Sequence, residues 1–184
     1  MPKTIIEKEV KNPSDEVQSK YLNTRNVPNR NDKNLKILII LFGPGGCGKT
    51  NTLRELIHGM SGVTLSSKPH DVRYIFPYGV DKCCIQTAGD SCEIVEDNCR
   101  VFEEFAPEIC ITACRSEGRC RETMKYFIEK HLQLQTKPAA VIWLNKKELN
   151  KTIENTTTPK PSKAVVNKRC SNLIKELIDK ILLP

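Results

Sequence analysis

The sequence predicts a three-layer α/β fold, in which helices cover both faces of a mostly parallel sheet that carries one antiparallel edge hairpin. Short apolar runs recur at residues 35–42, 108–114 and 139–144, as is typical of strands buried on both faces. Segments with helical periodicity separate these runs, and this alternation is typical of parallel sheets. With 184 residues, the chain is long enough for one domain with a substantial core.

The first part of the chain differs from the rest. Residues 1–34 are polar, alternate in charge sign and contain three prolines without a sustained periodicity. They are predicted to form a flexible or loosely docked arm that precedes a domain at residues 35–184. Ile5, Ile6 and Val10 suggest one short amphipathic helix in this arm, and a role in protein interaction is open.

The strand at residues 35–42 runs directly into a glycine-rich turn, GPGGCGKT, and then into a helix at residues 52–60. The turn fits the pattern G-x-x-x-x-G-K-[ST], with the preceding strand and following helix that this pattern requires. Its glycines permit backbone angles that side chains forbid, so successive N–H groups can converge on phosphate oxygens at a positive helix end. The alternative is a turn that only connects a strand to a helix.

This motif resembles the phosphate-binding loop of the P-loop NTPase superfamily, which implies a three-layer αβα fold and a nucleoside triphosphate bound with Mg²⁺. The resemblance assigns Lys49 to the β- and γ-phosphates and the Thr50 hydroxyl to magnesium. Cys47 occupies a variable position of the motif and has no expected role of its own. The predicted phosphate-binding residues are Gly43, Pro44, Gly45, Gly46, Cys47, Gly48, Lys49, Thr50 and Asn51.

Two strand-like runs follow the first helix, at residues 72–78 and 83–87, with a turn between them that contains glycine and aspartate. This arrangement predicts a β-hairpin. Pro77 places the first arm at an edge of the sheet, because proline cannot donate a hydrogen bond to a neighbouring strand.

The second arm of this hairpin leads into the residues Thr87-Ala-Gly-Asp90. P-loop proteins place the group that holds magnesium or its water after such a strand, so Asp90 is predicted to be a magnesium ligand and a catalytic residue. The resemblance to GTPases is partial, since their Asp-x-x-Gly element would require aspartate where this chain has Gln86. The alternative for Asp90 is the N-cap of the helix predicted at residues 91–105, which Pro107 stops.

The strand at residues 108–114 leads into RSEGRCR, a glycine-containing loop with three arginines. Ligands of open α/β sheets bind beyond the carboxyl ends of the strands. Arg115 is therefore predicted to neutralise charge on a phosphoryl group during its transfer. The alternative is a solvated loop whose arginines pair with Glu117 and Glu122. A helix is predicted next, at residues 121–134.

The strand at residues 139–144 is followed by Asn145-Lys-Lys-Glu148. GTPases read guanine with Asn-Lys-x-Asp at this place, but Glu148 replaces the aspartate, and the longer side chain changes the bidentate geometry. Residues 152–161 are predicted to be a linker, and residues 171–183 carry the apolar stripe of a closing helix.

The formal net charge is +7, and residues 137–184 carry ten Lys or Arg against four Asp or Glu. A solvated basic face is the main interpretation; an acidic protein partner or a nucleic acid is a weaker one, because aromatic residues are sparse. The nine cysteines include no C-x-x-C pair, and the sequence has no recognisable signal peptide. Together these observations predict reduced thiols in a cytoplasmic protein without zinc. No apolar run has the length of a membrane span, so no membrane partner is expected.

Three functions follow from these patterns. The leading one is an ATP-binding protein that hydrolyses ATP or transfers its phosphoryl group as a kinase does. Its catalytic residues are Lys49, Asp90 and Arg115, and its magnesium ligands are Thr50 and Asp90. The second is a GTP-binding switch. The third is an adaptor that keeps a nucleotide without turnover and contacts a protein partner through the N-terminal arm or the basic C-terminal part.

Overall fold

The computed structural model describes residues 5–10, 35–68, 70–132 and 139–182. Its strands are β1 (Ile5–Val10), β2 (Lys36–Gly43), β3 (Arg73–Tyr78), β4 (Asp81–Gln86), β5 (Ile109–Arg115) and β6 (Ala139–Asn145). Its helices are α1 (Lys49–Ser61), α2 (Cys92–Phe105), α3 (Arg119–Phe127), α4 (Lys146–Asn155) and α5 (Lys163–Leu182). A π-helical turn, Ile128–Leu132, continues α3, and the rest of the helix predicted to reach residue 134 lies outside the described residues.

The six strands form one sheet in the order β1-β6-β2-β5-β4-β3. All neighbouring pairs are parallel except β3 and β4, which are antiparallel. Strand β2 lies between β5 and β6, and all eight of its residues are buried. The predicted three-layer α/β architecture, with one central apolar strand, is therefore confirmed.

Alternate side chains of β2 enter two separate cores, because successive residues of a strand point to opposite faces of a sheet. Ile37, Ile39 and Leu41 pack with apolar residues of α1, α4 and α5. Leu38, Ile40 and Phe42 pack with apolar residues of α2 and α3. These two cores hold the sheet between two layers of helices.

The predicted hairpin is also confirmed. Strand β3 pairs with β4 so that Tyr78 lies opposite Asp81 and Pro77 lies opposite Lys82. Strand β3 lies at one edge of the sheet, so no second strand requires a backbone hydrogen bond from Pro77, which has no N–H group to donate. Val80, in the turn between the two strands, is 88% exposed.

The helix predicted near the start of the chain is wrong. Residues Ile5–Val10 form β1, which runs parallel to β6 with Ile5 opposite Ala139 and Val10 opposite Leu144. The edge of β6 offers backbone hydrogen-bonding groups to this segment, and β-branched residues such as Ile5, Ile6 and Val10 favour an extended chain. Residues 1–4 and 11–34, the remainder of the predicted arm, lie outside the described residues.

The predicted linker begins too early, and the closing helix starts too late. Helix α4 starts directly after β6 and continues to Asn155, with Leu149 and Ile153 buried one turn apart. Helix α5 begins at Lys163, where Val166 and Cys170 already pack into the core. In both cases packing against the sheet decides the conformation of a polar stretch with few apolar residues.

The nine cysteines are all free thiols, and most are buried. Burial raises the pKa of Cys84 to about 11 and the pKa of Cys99 and Cys114 to about 12, because desolvation disfavours the thiolate. These thiols are therefore neutral near pH 7 and pack as small apolar groups. In the part of the chain that the structure describes, no helix has the length and apolar character needed to cross a bilayer.

Candidate functional site

The glycine loop, residues 43–50, joins the carboxyl end of β2 to the first turn of α1. Its backbone takes left-handed angles at Gly46, with φ 71°, and at Gly48, with φ 93°. A residue with a β-carbon is strained at such angles, so glycine is needed at both positions. No side chain caps the start of α1, so the amide groups of its first turn receive no acceptor from a capping residue. The loop and the helix therefore present backbone N–H groups together.

Lys49 folds back over this loop. Its side chain is buried, and its ammonium nitrogen lies 2.9 Å from the carbonyl oxygen of Gly43 and 2.9 Å from that of Pro44. The Cys47 sulfur is 4.0 Å from the same nitrogen. These carbonyl groups offset part of the cost of burying the ammonium, but no carboxylate lies among its hydrogen-bond partners in the structure. Within the described part of the chain, the hydrogen-bond partners of the Lys49 nitrogen are thus uncharged groups of the loop.

A cavity of about 320 Å³ opens in front of the loop. It brings together the glycine loop, the start of α1, Asp71, which lies two residues before β3, and the segment that follows β4. Three of the predicted site residues outside the loop glycines, Lys49, Thr50 and Asn51, therefore share one cavity with Asp90. The cavity is lined by Gly46, Gly48, Lys49, Thr50, Asn51, Asp71, Thr87, Gly89 and Asp90.

Arg115 pairs with Asp90, which lines this cavity, but Arg115 is not itself among the lining residues. The Arg115 Nε lies 3.4 Å from Asp90 Oδ1, and their side chains are 48% and 58% exposed. Arg115 ends β5 opposite Gly43 of β2, and a β-carbon at position 45 would lie 3.8 Å from its Nη2. The parallel pairing of β2 with β5 thus brings this guanidinium beside the glycine loop.

The N-cap role considered for Asp90 is wrong. Helix α2 begins at Cys92, and the side chain of Ser91 accepts the capping hydrogen bond from the Ile94 amide at 3.3 Å. Asp90 lies one residue before this cap and faces the cavity. Its position is therefore not explained by the need to start a helix.

Sequence reasoning missed Asp71 and Thr87. The Thr50 Oγ1 lies 3.3 Å from Asp71 Oδ1 and 3.3 Å from the Thr87 carbonyl oxygen. The Thr87 hydroxyl accepts a hydrogen bond from the Val72 amide at 2.7 Å and donates to Asp71 Oδ1 at 3.4 Å. The signal that could have found them is the register of the predicted hairpin, which places residue 72 across from residue 87 once the pairing is extended beyond β3 and β4.

The rear of the glycine loop is held by α4 and α5. The Asn150 side chain donates to the Cys47 carbonyl oxygen at 3.0 Å, and the fully buried Lys146 donates in turn to Asn150. The Lys146 nitrogen also lies 3.4 Å from the Cys170 sulfur. From α5, Asn167 is so close that a β-carbon at position 48 would lie 2.5 Å from its Oδ1. Side chains from both helices therefore determine the shape of the loop.

The residues Asn145 to Glu148 have local partners. Asn145 caps α4 by accepting from the amides of Lys147 at 3.1 Å and Glu148 at 3.3 Å. Lys146 is buried against α5, and Glu148 forms an ion pair with Lys151 at 3.0 Å. Three of these four residues therefore have partners within α4 or α5, and their pairing does not test the resemblance to the guanine-reading motif.

The site combines features that favour an anion with features that favour a cation. Lys49, Arg115 and the uncapped start of α1 attract negative charge, whereas Thr50, Asp71 and Asp90 offer oxygen ligands. Comparisons of the chain with protein-family models, with curated proteins and with solved structures found no match. The chemistry of the site is therefore argued from its own geometry.

Proposed function

We propose that this protein binds a nucleoside triphosphate together with Mg²⁺ at the glycine loop, and that it acts on the terminal phosphoryl group by hydrolysis or by kinase-like transfer. The observation that carries this proposal is the buried Lys49 ammonium, which lies among the loop carbonyls of Gly43 and Pro44 and lines the cavity. A polyphosphate supplies the negatively charged partner that the Lys49 ammonium does not have among these carbonyl groups.

The backbone supports the same ligand. Gly46 and Gly48 take left-handed angles, and the first turn of α1 has no side-chain cap; backbone N–H groups in such loops and at helix starts bind phosphate oxygens. The cavity, at about 320 Å³, is at the lower end of the range of about 300–1,000 Å³ for small-molecule sites. We infer that it receives the phosphate groups, while the ribose and the base extend beyond it.

Oxygen ligands in the cavity fit magnesium. Mg²⁺ prefers hydroxyl and carboxylate oxygens and is held by one or two carboxylates with phosphates and waters, rather than by an all-protein cage. Thr50, Asp71 and Asp90 all line the cavity, so it contains one hydroxyl and two carboxylates from which the magnesium ligands can come. Within the described residues, no group of three or more His, Cys, Asp or Glu side chains could enclose a metal alone, so phosphates and water would complete its shell. The bound ion would neutralise charge on the phosphates.

ATP is the preferred nucleotide in this proposal. Of the two sequence features that favoured GTP, residues 87–89 and 145–148, the second is engaged in the cap of α4 and in the ion pair between Glu148 and Lys151. Calorimetric titration of the wild-type protein with ATP and with GTP, each in magnesium, tests both parts of the proposal. We expect a saturable ATP isotherm. Failure of both triphosphates to bind would refute the function, and a clear preference for GTP would replace ATP by the GTP-binding alternative.

Arg115→Ala should slow phosphate release from ATP about tenfold while it changes the affinity for ATP little. The guanidinium lies beside Gly45 and pairs with Asp90 of the cavity, and we propose that it reaches the terminal phosphoryl group, where charge develops during transfer. The expected effect is smaller than for a buried arginine, because the side chain is 48% exposed. Single-turnover release of phosphate measures it.

Arg119→Ala is the matched control for Arg115→Ala, because Arg119 is an exposed arginine at the start of α3 that lines a groove between α2 and α3 and is not recorded in contact with Asp90 or the glycine loop. Equal rates in both variants and in the wild type would remove Arg115 from the reaction. Binding of ATP without any phosphate release, in the presence or absence of added acceptors, would favour the adaptor function.

A further inference from the structure

The two carboxylates of the cavity have different neighbours. Asp90 lies beside the guanidinium of Arg115, whereas Asp71 lies among the hydroxyl groups of Thr50 and Thr87. We infer that Asp71, and not Asp90, is the protein carboxylate that holds the magnesium ion of the bound nucleotide. This inference rests on the proposed function and names one ligand of that site.

The Thr50 hydroxyl is arranged to act as a ligand together with Asp71. A hydroxyl that gives a lone pair to a cation must donate its hydrogen elsewhere, and the Thr87 carbonyl oxygen lies 3.3 Å from Thr50 Oγ1. The Thr50 and Asp71 oxygens are 3.3 Å apart. Adjacent corners of an octahedron with Mg–O bonds of about 2.0–2.1 Å are separated by roughly 2.9 Å, so a shift of a few tenths of an ångström brings both oxygens onto one ion.

Thr87 orients the Asp71 carboxylate. The hydroxyl of Thr87 already accepts a hydrogen bond from the Val72 amide at 2.7 Å, so its own hydrogen is available to Asp71 Oδ1 at 3.4 Å. Thr87 itself is fixed by the bond from its amide to the Val72 carbonyl oxygen at 2.9 Å. Such supporting hydrogen bonds hold a ligand in position before the metal arrives.

Position 86 does not supply a metal ligand. Gln86 is buried, where it accepts from Arg73 Nε at 2.7 Å and donates to the Asn98 carbonyl oxygen at 2.9 Å. It does not line the cavity. The last residue of β4, Gln86, is uncharged. Asp71, which lies just before the hairpin, therefore provides the negative charge at the cavity.

Asp90 is less suited to a cation because Arg115 is its neighbour. The guanidinium partly neutralises the carboxylate and repels a divalent ion placed at the same oxygen. Asp90 is then a positioning residue for Arg115, whereas Asp71 belongs to the magnesium site at the Thr50 hydroxyl.

The test compares Asp71→Asn with Asp90→Asn by calorimetric titration with ATP, once in excess chelator and once in magnesium. In the wild type, magnesium should tighten ATP binding. In Asp71→Asn the affinity for magnesium in the ATP complex should fall about tenfold, because a charged ligand is lost. Asp90→Asn should keep the wild-type magnesium dependence. Asp71 is exposed, and Asp71→Ser removes the same carboxylate by a different change and should behave as Asp71→Asn.

The outcomes separate this inference from the function on which it rests. A wild-type magnesium dependence in both Asp71 variants, or its loss in Asp90→Asn alone, would overturn the role of Asp71 and leave triphosphate binding intact. A wild-type protein that binds ATP equally with and without magnesium would also overturn it. Failure of the wild type to bind ATP or GTP in either buffer would refute the proposed function itself.

Discussion

Lys49→Met should weaken the binding of ATP with magnesium about 100-fold, as measured by calorimetric titration against the wild type. The reason is that hydrogen bonds to charged groups are worth about 1.5–3 kcal/mol each, and a loss of roughly 3 kcal/mol corresponds to about two orders of magnitude in affinity. Methionine is the sharper substitution because the Lys49 stem is buried, so a long apolar side chain keeps the packing while the charge is removed. Lys49→Ala should weaken binding at least as much.

Lys147→Ala controls for the loss of one positive charge near the loop. Lys147 is an exposed residue in the first turn of α4. Its amide nitrogen would lie 3.9 Å from a β-carbon at Gly43, but Lys147 is not among the residues that line the cavity. Its removal should leave the affinity for ATP within about twofold of the wild type, since screened surface charges contribute little. If Lys49→Met bound ATP as tightly as Lys147→Ala, the proposed phosphate site would be wrong.

Gly89→Ala should lower the free energy of unfolding by about 2–4 kcal/mol, because overpacking against rigid backbone cannot relax easily. A β-carbon at position 89 would lie 2.1 Å from the Ala113 carbonyl oxygen and 2.4 Å from its carbonyl carbon. Both atoms belong to β5 in the middle of the sheet. Urea denaturation measures the change, and the displaced loop should also weaken ATP binding through Thr87 and Asp90.

Gly59→Ala is the matched control, with an effect of opposite sign. Gly59 is an exposed residue inside α1, and apart from its chain neighbours and the backbone of its own helix, a β-carbon there would meet no atom within 4 Å. Alanine should stabilise the protein by about 0.5–1 kcal/mol, because it restricts the unfolded chain and favours helix. An unchanged denaturation midpoint in Gly89→Ala would show that the segment after β4 can leave β5 without cost.

Local patterns were sufficient for the centre of the fold. The apolar run of β2 shows in its composition that both faces are covered, and Pro77 marks an edge because of its own chemistry. The loop that follows β2 could be predicted as a turn between a strand and a helix, because its glycines and Lys49 stand at the spacing of the pattern G-x-x-x-x-G-K-[ST]. Arg115 was placed near it because parallel strands end at the same side of a sheet.

Features that depend on distant partners were not predictable in the same way. The strand Ile5–Val10 depends on the free edge of β6, which lies far along the chain, and its own residues suit a helix or a strand. Asp71 stands in no motif, and only the pairing of residues 72 and 87 brings it to Thr50. The cap that Asn145 provides for α4 was also missed, because the sequence placed it only in a resemblance to a base-reading motif.

The contacts that Asn150 and Asn167 make at the glycine loop and at α1 have a consequence for folding during translation. Asn150 reaches the Cys47 carbonyl across 103 positions of sequence, and Asn167 reaches the Thr52 hydroxyl across 115. During translation, the loop emerges from the ribosome long before either asparagine does. A nascent chain therefore lacks the contacts from Asn150 and Asn167, and the glycine loop can reach its final shape only after the first turns of α5 have been synthesised.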